Sequence, residues 1–169
     1  MEWRWDGPDD ARWTLLLAHG AGAGMDHPFL AEAGRALGER GLRVGRFEFP
    51  YMQRARAEGR RLPPNPQPHL QEAWRQAVAE AGVEGRRLLV AGKSLGGRMA
   101  ATMADELGAA GLVVLGYPFH PRGKPERTRL APLQALQAPA LVVQGERDPL
   151  GSHGEVVGYR LPPHIQLCW

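Results

Sequence analysis

An α/β domain, three layers deep with a mostly parallel central sheet, is the architecture expected of these 169 residues. Apolar strand-like runs alternate with segments of helical spacing along most of the chain, the pattern of βαβ units. A Gly-x-Ser-x-Gly pentapeptide, Gly92 to Gly96, falls between one such strand and one such helix. The apolar fraction is 43%, ordinary for a folded domain, and no apolar run reaches the roughly 20 residues that span a bilayer.

Taken in order, 13–18 is a short apolar strand that runs into glycines. Residues 27–40 have helical spacing, with Phe29, Leu30, Ala33 and Leu37 on one stripe and Gly41 as the stop. Residues 42–49 alternate in part and end at Pro50. A helix is expected over 70–81, a strand over 87–91 and a helix over 95–107. Strands are expected over 112–115 and 140–144, with a short helix over 130–136 between them. One or two helical turns at 155–159 precede a last strand, 165–169. Residues 51–68, with four of the 15 prolines, and 117–125 read as loops. No repeat and no room for a lid are visible, so 1–169 is expected to be one domain.

The 21 basic and 18 acidic residues leave a net charge of +3, which is no nucleic-acid footprint unless the charges cluster. The start of the chain has no apolar core of a signal peptide. Cys168 is the single cysteine, so a reducing, cytoplasmic setting is expected. No Cys/His spacing suggests a metal, and no cofactor, nucleic acid or membrane is expected as a partner.

The chemistry concentrates in three places. Gly92-Lys93-Ser94-Leu95-Gly96 has the form of a nucleophile elbow, with the glycines leaving room for a tight turn. Such a turn lifts the Ser94 hydroxyl above the carboxyl edge of the sheet and aims the Leu95 N–H at the reaction centre. The competing reading is a glycine-rich turn with a buried serine. A phosphate loop ending Gly-Lys-Ser is excluded, because Arg87 stands where it needs glycine and residues 88–91 read as strand. The second place, His19-Gly20-Ala21-Gly22-Ala23-Gly24, follows the first strong strand. There the Ala21 N–H is the candidate second oxyanion-hole donor, and His19, Gly20 and Gly22 are candidates for lining the substrate site. A dinucleotide fingerprint fails, since Met25 or His27 occupies the third glycine position, although Glu48 mimics the ribose-binding acid. The third place is Gly145 to Pro149, where Asp148 follows a late strand and becomes a candidate triad acid or, alternatively, the start of a turn.

The stretches AHGAGAGM (18–25), FPYM (49–52), GKSLGGRMA (92–100), GYPFHPRGKPE (116–126) and VVQGERDP (142–149) resemble a small bacterial α/β-hydrolase family. That family is described as dienelactone-hydrolase-like and includes the hydrolase-like domain of the third regulatory subunit of an animal histone-acetyltransferase complex. The resemblance implies a minimal α/β-hydrolase fold without a lid, with Ser94 as nucleophile and Asp148 as triad acid. It also implies a triad histidine after the last strand, before a final helix. This sequence ends at Trp169, so that loop and helix are not part of it.

Two readings follow. In one, the chain is a serine hydrolase acting on a small-molecule ester or related acyl bond. In the other, it is a degenerate hydrolase that binds without turnover. Among the six histidines, His120, in the GYPFHP stretch, is the first candidate base and His153 the second. His164 is expected at the amino end of the last strand, and His27 and His69 as surface or capping residues. Arg54, Arg56, Arg60 and Arg61 either flank the site and attract an anionic substrate or form a solvated loop. Ile165, Leu167 and Trp169 alternate with Gln166 and Cys168, so an apolar face and a sheet edge are expected to stand open there. A homodimer through that C-terminal edge would cover both.

Overall fold

The computed structural model describes residues 1–83 and 85–169. Seven strands form one sheet: β1 (Trp3–Asp6), β2 (Thr14–Ala18), β3 (Arg43–Phe47), β4 (Leu88–Lys93), β5 (Gly111–Leu115), β6 (Ala140–Val143) and β7 (Ile165–Cys168). Their order is β1-β3-β2-β4-β5-β6-β7, parallel except for β1, which runs antiparallel to β3. The helices are α1 (Pro28–Gly38), α2 (Pro50–Glu58), α3 (Gln67–Ala81), α4 (Leu95–Met103), α5 (Ala131–Ala135) and α6 (His153–Val156). The three-layer, mostly parallel α/β architecture is as expected. None of the described helices is long and apolar enough to cross a membrane.

Alternation along the strands sorts the core into two sides. Leu16, Val90, Val114 and Val142 point to the larger cluster, where Trp74 of α3 and Met99 and Met103 of α4 are fully buried. Leu15, Leu17, Ala91 and Val44 point the other way, against Leu30 and Leu37 of α1. Contacts of α1 run to β3 and β1. Beyond its reach the same face continues through Val113 and Leu115 to Leu141 and Val143, and Val143 is 38% exposed.

Two elements differ from the sequence reading. Strand β1 was not expected, yet Trp3 and Trp5 alternate with Arg4 and Asp6. Their rings stack at 4.9 Å, and Trp5 fills the space that a side chain at Gly45 would need. Helix α2 occupies what reads as loop. Pro50 takes its first turn, where the missing N–H costs nothing, and Gly59 closes it at φ 62°. Only Tyr51 of this helix is buried, so no apolar stripe announces it. Helix α3 also starts three residues early, with Pro68 in its first turn. The open apolar surface is on the other side of β7 from the one expected: Ile165 and Leu167 pack into the larger core, whereas Leu141 and Val143 carry the uncovered face.

Candidate functional site

Strands β2 and β4 are neighbours in register, with Ala18 opposite Gly92, so the loops leaving them meet at the carboxyl edge. Ser94 links β4 to α4 at φ 51° and ψ −112°, and among the described residues it is the only non-glycine with positive φ. Such a conformation costs on the order of 1–3 kcal/mol and persists where neighbours over-determine it. Here they do. A Cβ on Gly92 would lie 2.2 Å from the Gly96 carbonyl carbon, and one on Gly96 would lie 2.5 Å from the His19 oxygen. Only glycine permits that approach of backbone to backbone.

Gly20 sits against the elbow; a Cβ there would be 3.8 Å from that of Ser94. The Gly20 carbonyl is held twice. His19 Nδ1 approaches it at 2.6 Å, and the Tyr51 hydroxyl donates to it at 3.2 Å. His19 Nε2 accepts the Phe49 N–H at 3.1 Å, which puts the ring proton on Nδ1. Burial pushes the His19 pKa down to about 4, so the ring stays neutral. Burial and the Glu48 carboxylate push the Tyr51 phenol up to about 12, so it remains a donor. In a planar trans peptide the C=O and the following N–H point in opposite directions. Anchoring Gly20 O therefore also fixes the orientation of the Ala21 N–H, opposite to that carbonyl. Neither that N–H nor the Leu95 N–H donates a hydrogen bond among the described residues. Ala21 and Ser94 border one cleft, and Leu95 follows Ser94 as the first residue of α4.

Ser94 borders two clefts. One, of about 220 Å³, runs over Gly20, Ala21, Gly22 and Ala23 to His27 and Leu30. The other, of about 400 Å³, includes Phe29, Gly116, Val143 and Asp148. Ser94 and Asp148 therefore reach the same cavity. Asp148 Oδ1 accepts the Leu150 N–H at 2.8 Å, and a Cβ on Gly116 would sit 3.4 Å from Oδ2. Buried Gln144 ties this loop to the one after β5, accepting from Tyr117 N–H and donating to the Gly151 carbonyl.

The histidines divide differently from the sequence reading. His120 does not border either Ser94 cleft. Its Nδ1 lies 2.9 Å from the Pro121 carbonyl, and Nε2 faces Glu155 Oε1 at 3.3 Å, so the ring is turned into the α6 side of the fold. His153 packs on Trp169, and His164 Nε2 meets the Leu136 carbonyl. His19 lines neither cleft, being fully buried behind the Ala21 loop, whereas Gly20 and Gly22 do line one. His27 is both a cap and a wall: its Nδ1 accepts the Phe29 N–H at 3.2 Å. That bond engages Nδ1 in the cap and leaves Nε2 as the ring nitrogen without a cap partner. The sequence marks His27 as a surface or capping residue and gives Tyr51 no part. The Phe-Pro-Tyr-Met stretch was the available signal for Tyr51.

Glu48, the would-be ribose acid, accepts the Met25 N–H and pairs with Arg56, and so anchors the 20–25 loop from behind.

A family model described as alpha/beta hydrolase domain matches residues 11–169. No curated protein matches the sequence. Among solved structures, a serine hydrolase homologue from Coxiella burnetii superposes with a TM-score of 0.70 at 20% identity, covering 98% of this chain and 79% of that one. A lidless α/β serine hydrolase from Xanthomonas campestris gives 0.66 at 20% identity, covering 98% and 77%. Est1E from Butyrivibrio proteoclasticus, solved with ferulic acid, gives 0.71 at 15% identity, covering 98% and 83%.

Proposed function

The chain belongs to the alpha/beta hydrolase domain family, and from that premise we propose that it is a serine hydrolase of esters or related acyl bonds. The observation that carries this reading is the strained Ser94 at φ 51°, flanked by the unpaired N–H groups of Leu95 and Ala21. Ser94 Oγ attacks the carbonyl carbon while the C=O π pair moves onto oxygen, where the two N–H groups receive it. The hydroxyl proton would pass to the leaving alcohol through an imidazole supplied from outside the described histidines, and water would then cleave the acyl-enzyme by the same route. Asp148 orients and stabilises that imidazole. The cleft shared by Ser94 and Asp148, about 400 Å³, has room for such an imidazole. None of the six histidines fills it in the described structure, His120 included.

The motifs AHGAGAGM and GKSLGGRMA favour the dienelactone-hydrolase-like branch of the family. The chemistry needs no metal or cofactor, and the lone free thiol, Cys168, agrees with a cytoplasmic setting.

Incubation with a neutral alkyl fluorophosphonate, followed by peptide mass spectrometry, tests the reading. Covalent modification of Ser94, absent in Ser94→Ala, is the expected result. A folded protein that stays unlabelled would instead be a degenerate hydrolase that binds without turnover.

A further inference from the structure

We propose that this hydrolase selects esters carrying an anionic group, which docks in an arginine-lined annex beside the Ser94 cleft. The proposal rests on the serine-hydrolase reading and adds a substrate class to it.

The annex is a cavity of about 430 Å³ between α2 and the loop after β2. Ala21 and Gly22 line both it and the Ser94 cleft, so the candidate oxyanion loop is the shared wall. Its floor is apolar, formed by Met52, Ala55 and Leu62. Its charged lining is Arg56, Arg60 and Arg61, with no carboxylate among the residues that border it. An ester spanning the two cavities would place its scissile carbonyl at Ser94, its methylene chain on Met52 and Leu62, and a charged end among the guanidiniums.

The three arginines are not equivalent. Arg56 is braced from behind by the buried Glu48 carboxylate at 3.3 Å and by Glu2, so its position is set before any ligand arrives. Arg60 pairs with Glu58 at 2.6 Å. Arg61 makes no ion pair among the described residues and is exposed on the cavity rim. It has the free planar donor set that a carboxylate or phosphate takes bidentately. The geometry is held locally: Asn65 Oδ1 accepts the Tyr51 N–H at 2.8 Å, tying the 60–66 segment to the start of α2. The same tyrosine holds the Gly20 carbonyl, so annex and oxyanion loop share one support.

Two fluorophosphonates of equal chain length test this, one ending in methyl and one in carboxylate, with a third ending in phosphate. The readout is the ratio of second-order labelling rates at Ser94, anionic over neutral. The ratio is expected to be about three- to tenfold at low salt, to shrink in 0.5 M NaCl, and to fall towards one in Arg61→Ala with partial recovery in Arg61→Lys. Which anionic probe gains more identifies the head group. A ratio of one with the intact protein overturns the annex while leaving the hydrolase reading standing. If no probe labels Ser94, the hydrolase reading fails, and amide chemical shifts then decide the annex. Glutarate or inorganic phosphate should shift residues 21–22 and 60–62 in the intact protein and not in Arg61→Ala, and no shift from either anion overturns the proposal.

Discussion

The Tyr51 hydroxyl and His19 Nδ1 converge on one acceptor, the carbonyl oxygen of Gly20, at 3.2 and 2.6 Å. Two clamps on one side of a peptide unit leave its other side, the Ala21 N–H, no freedom to rotate. Tyr51→Phe removes one clamp without changing the ring's packing on Phe49. Labelling of Ser94 by the neutral fluorophosphonate should slow by about tenfold, a fraction of the hundredfold or more lost when an oxyanion donor itself is removed. An unchanged rate would mean that His19 alone fixes the loop.

His19 also makes stability depend on pH in a defined direction. Its pKa is about 4 folded against 6.5 unfolded, so the unfolded chain binds the extra proton between those values. Stability contributed by the neutral ring is complete above pH 6.5 and is lost as the pH falls to 4, by up to about 3 kcal/mol. Urea midpoints at pH 7.5 and 5, compared between the parent and His19→Asn, read this out. The parent should lose more stability on acidification than the variant, and equal losses would show that His19 titrates alike in both states.

Gly96 is hemmed in by the Ala18 and His19 carbonyl oxygens, which a Cβ would meet at 2.6 and 2.5 Å. Backbone cannot step aside as a side-chain end can. Gly96→Ala should therefore cost about 2–4 kcal/mol in chemical denaturation, and the surviving folded fraction should lose fluorophosphonate reactivity. A variant of parental stability would contradict the close packing of the elbow on β2.

Turnover of small aryl esters by residues 1–169 should be weak, since no resident imidazole borders the space between Ser94 and Asp148 able to accept a proton. Imidazole added at tens of millimolar should raise the rate by occupying that space, and the gain should disappear in Asp148→Ala. His120→Ala should leave both rates alone, because His120 faces Glu155. Strong turnover that His120→Ala abolishes would overturn this account.

The edge strand β7 offers unpaired N–H and C=O groups, and Trp169 beside it is 37% exposed. Two copies pairing β7 about a two-fold axis would continue the sheet and cover both edges. Sedimentation at micromolar concentration should report a dimer that Gln166→Pro dissociates; a monomer at that concentration would dismiss this pairing.

Elements with strong apolar periodicity or an abrupt glycine stop were legible in the sequence, as α1, α4 and the five central strands attest. So was the tight strand-to-helix turn at Ser94, whose glycines are dictated by contacts that only glycine survives. What escaped had its cause in tertiary contacts. Helix α2 carries four charged or amide side chains and one buried residue, so its stability comes from Pro50, Gly59 and the tie to Asn65 rather than from a stripe. The direction of the His120 ring depends on Glu155, 35 residues away in the chain, and no local pattern encodes that. The open face of the sheet differs from the expected one because alternation in β7 gives two faces without saying which one the larger core takes up.

The register of β2 on β4 pairs Thr14 with Leu88 and Ala18 with Gly92, residues 74 apart in the chain. Both strands lie inside the sheet, so their amides should exchange with deuterium only when the whole sheet opens. Ser94 and the Ala21 loop hang from this strand pair and cannot drift apart by local fraying. Asp148 follows β6, two strands nearer the edge, and the arginines ride on the exposed α2 and the segment after it. If Ser94 is the nucleophile, its placement is set by the interior of the sheet, and variation in substrate range should arise in the residues after β6 and on α2 while the β2–β4 core stays constant.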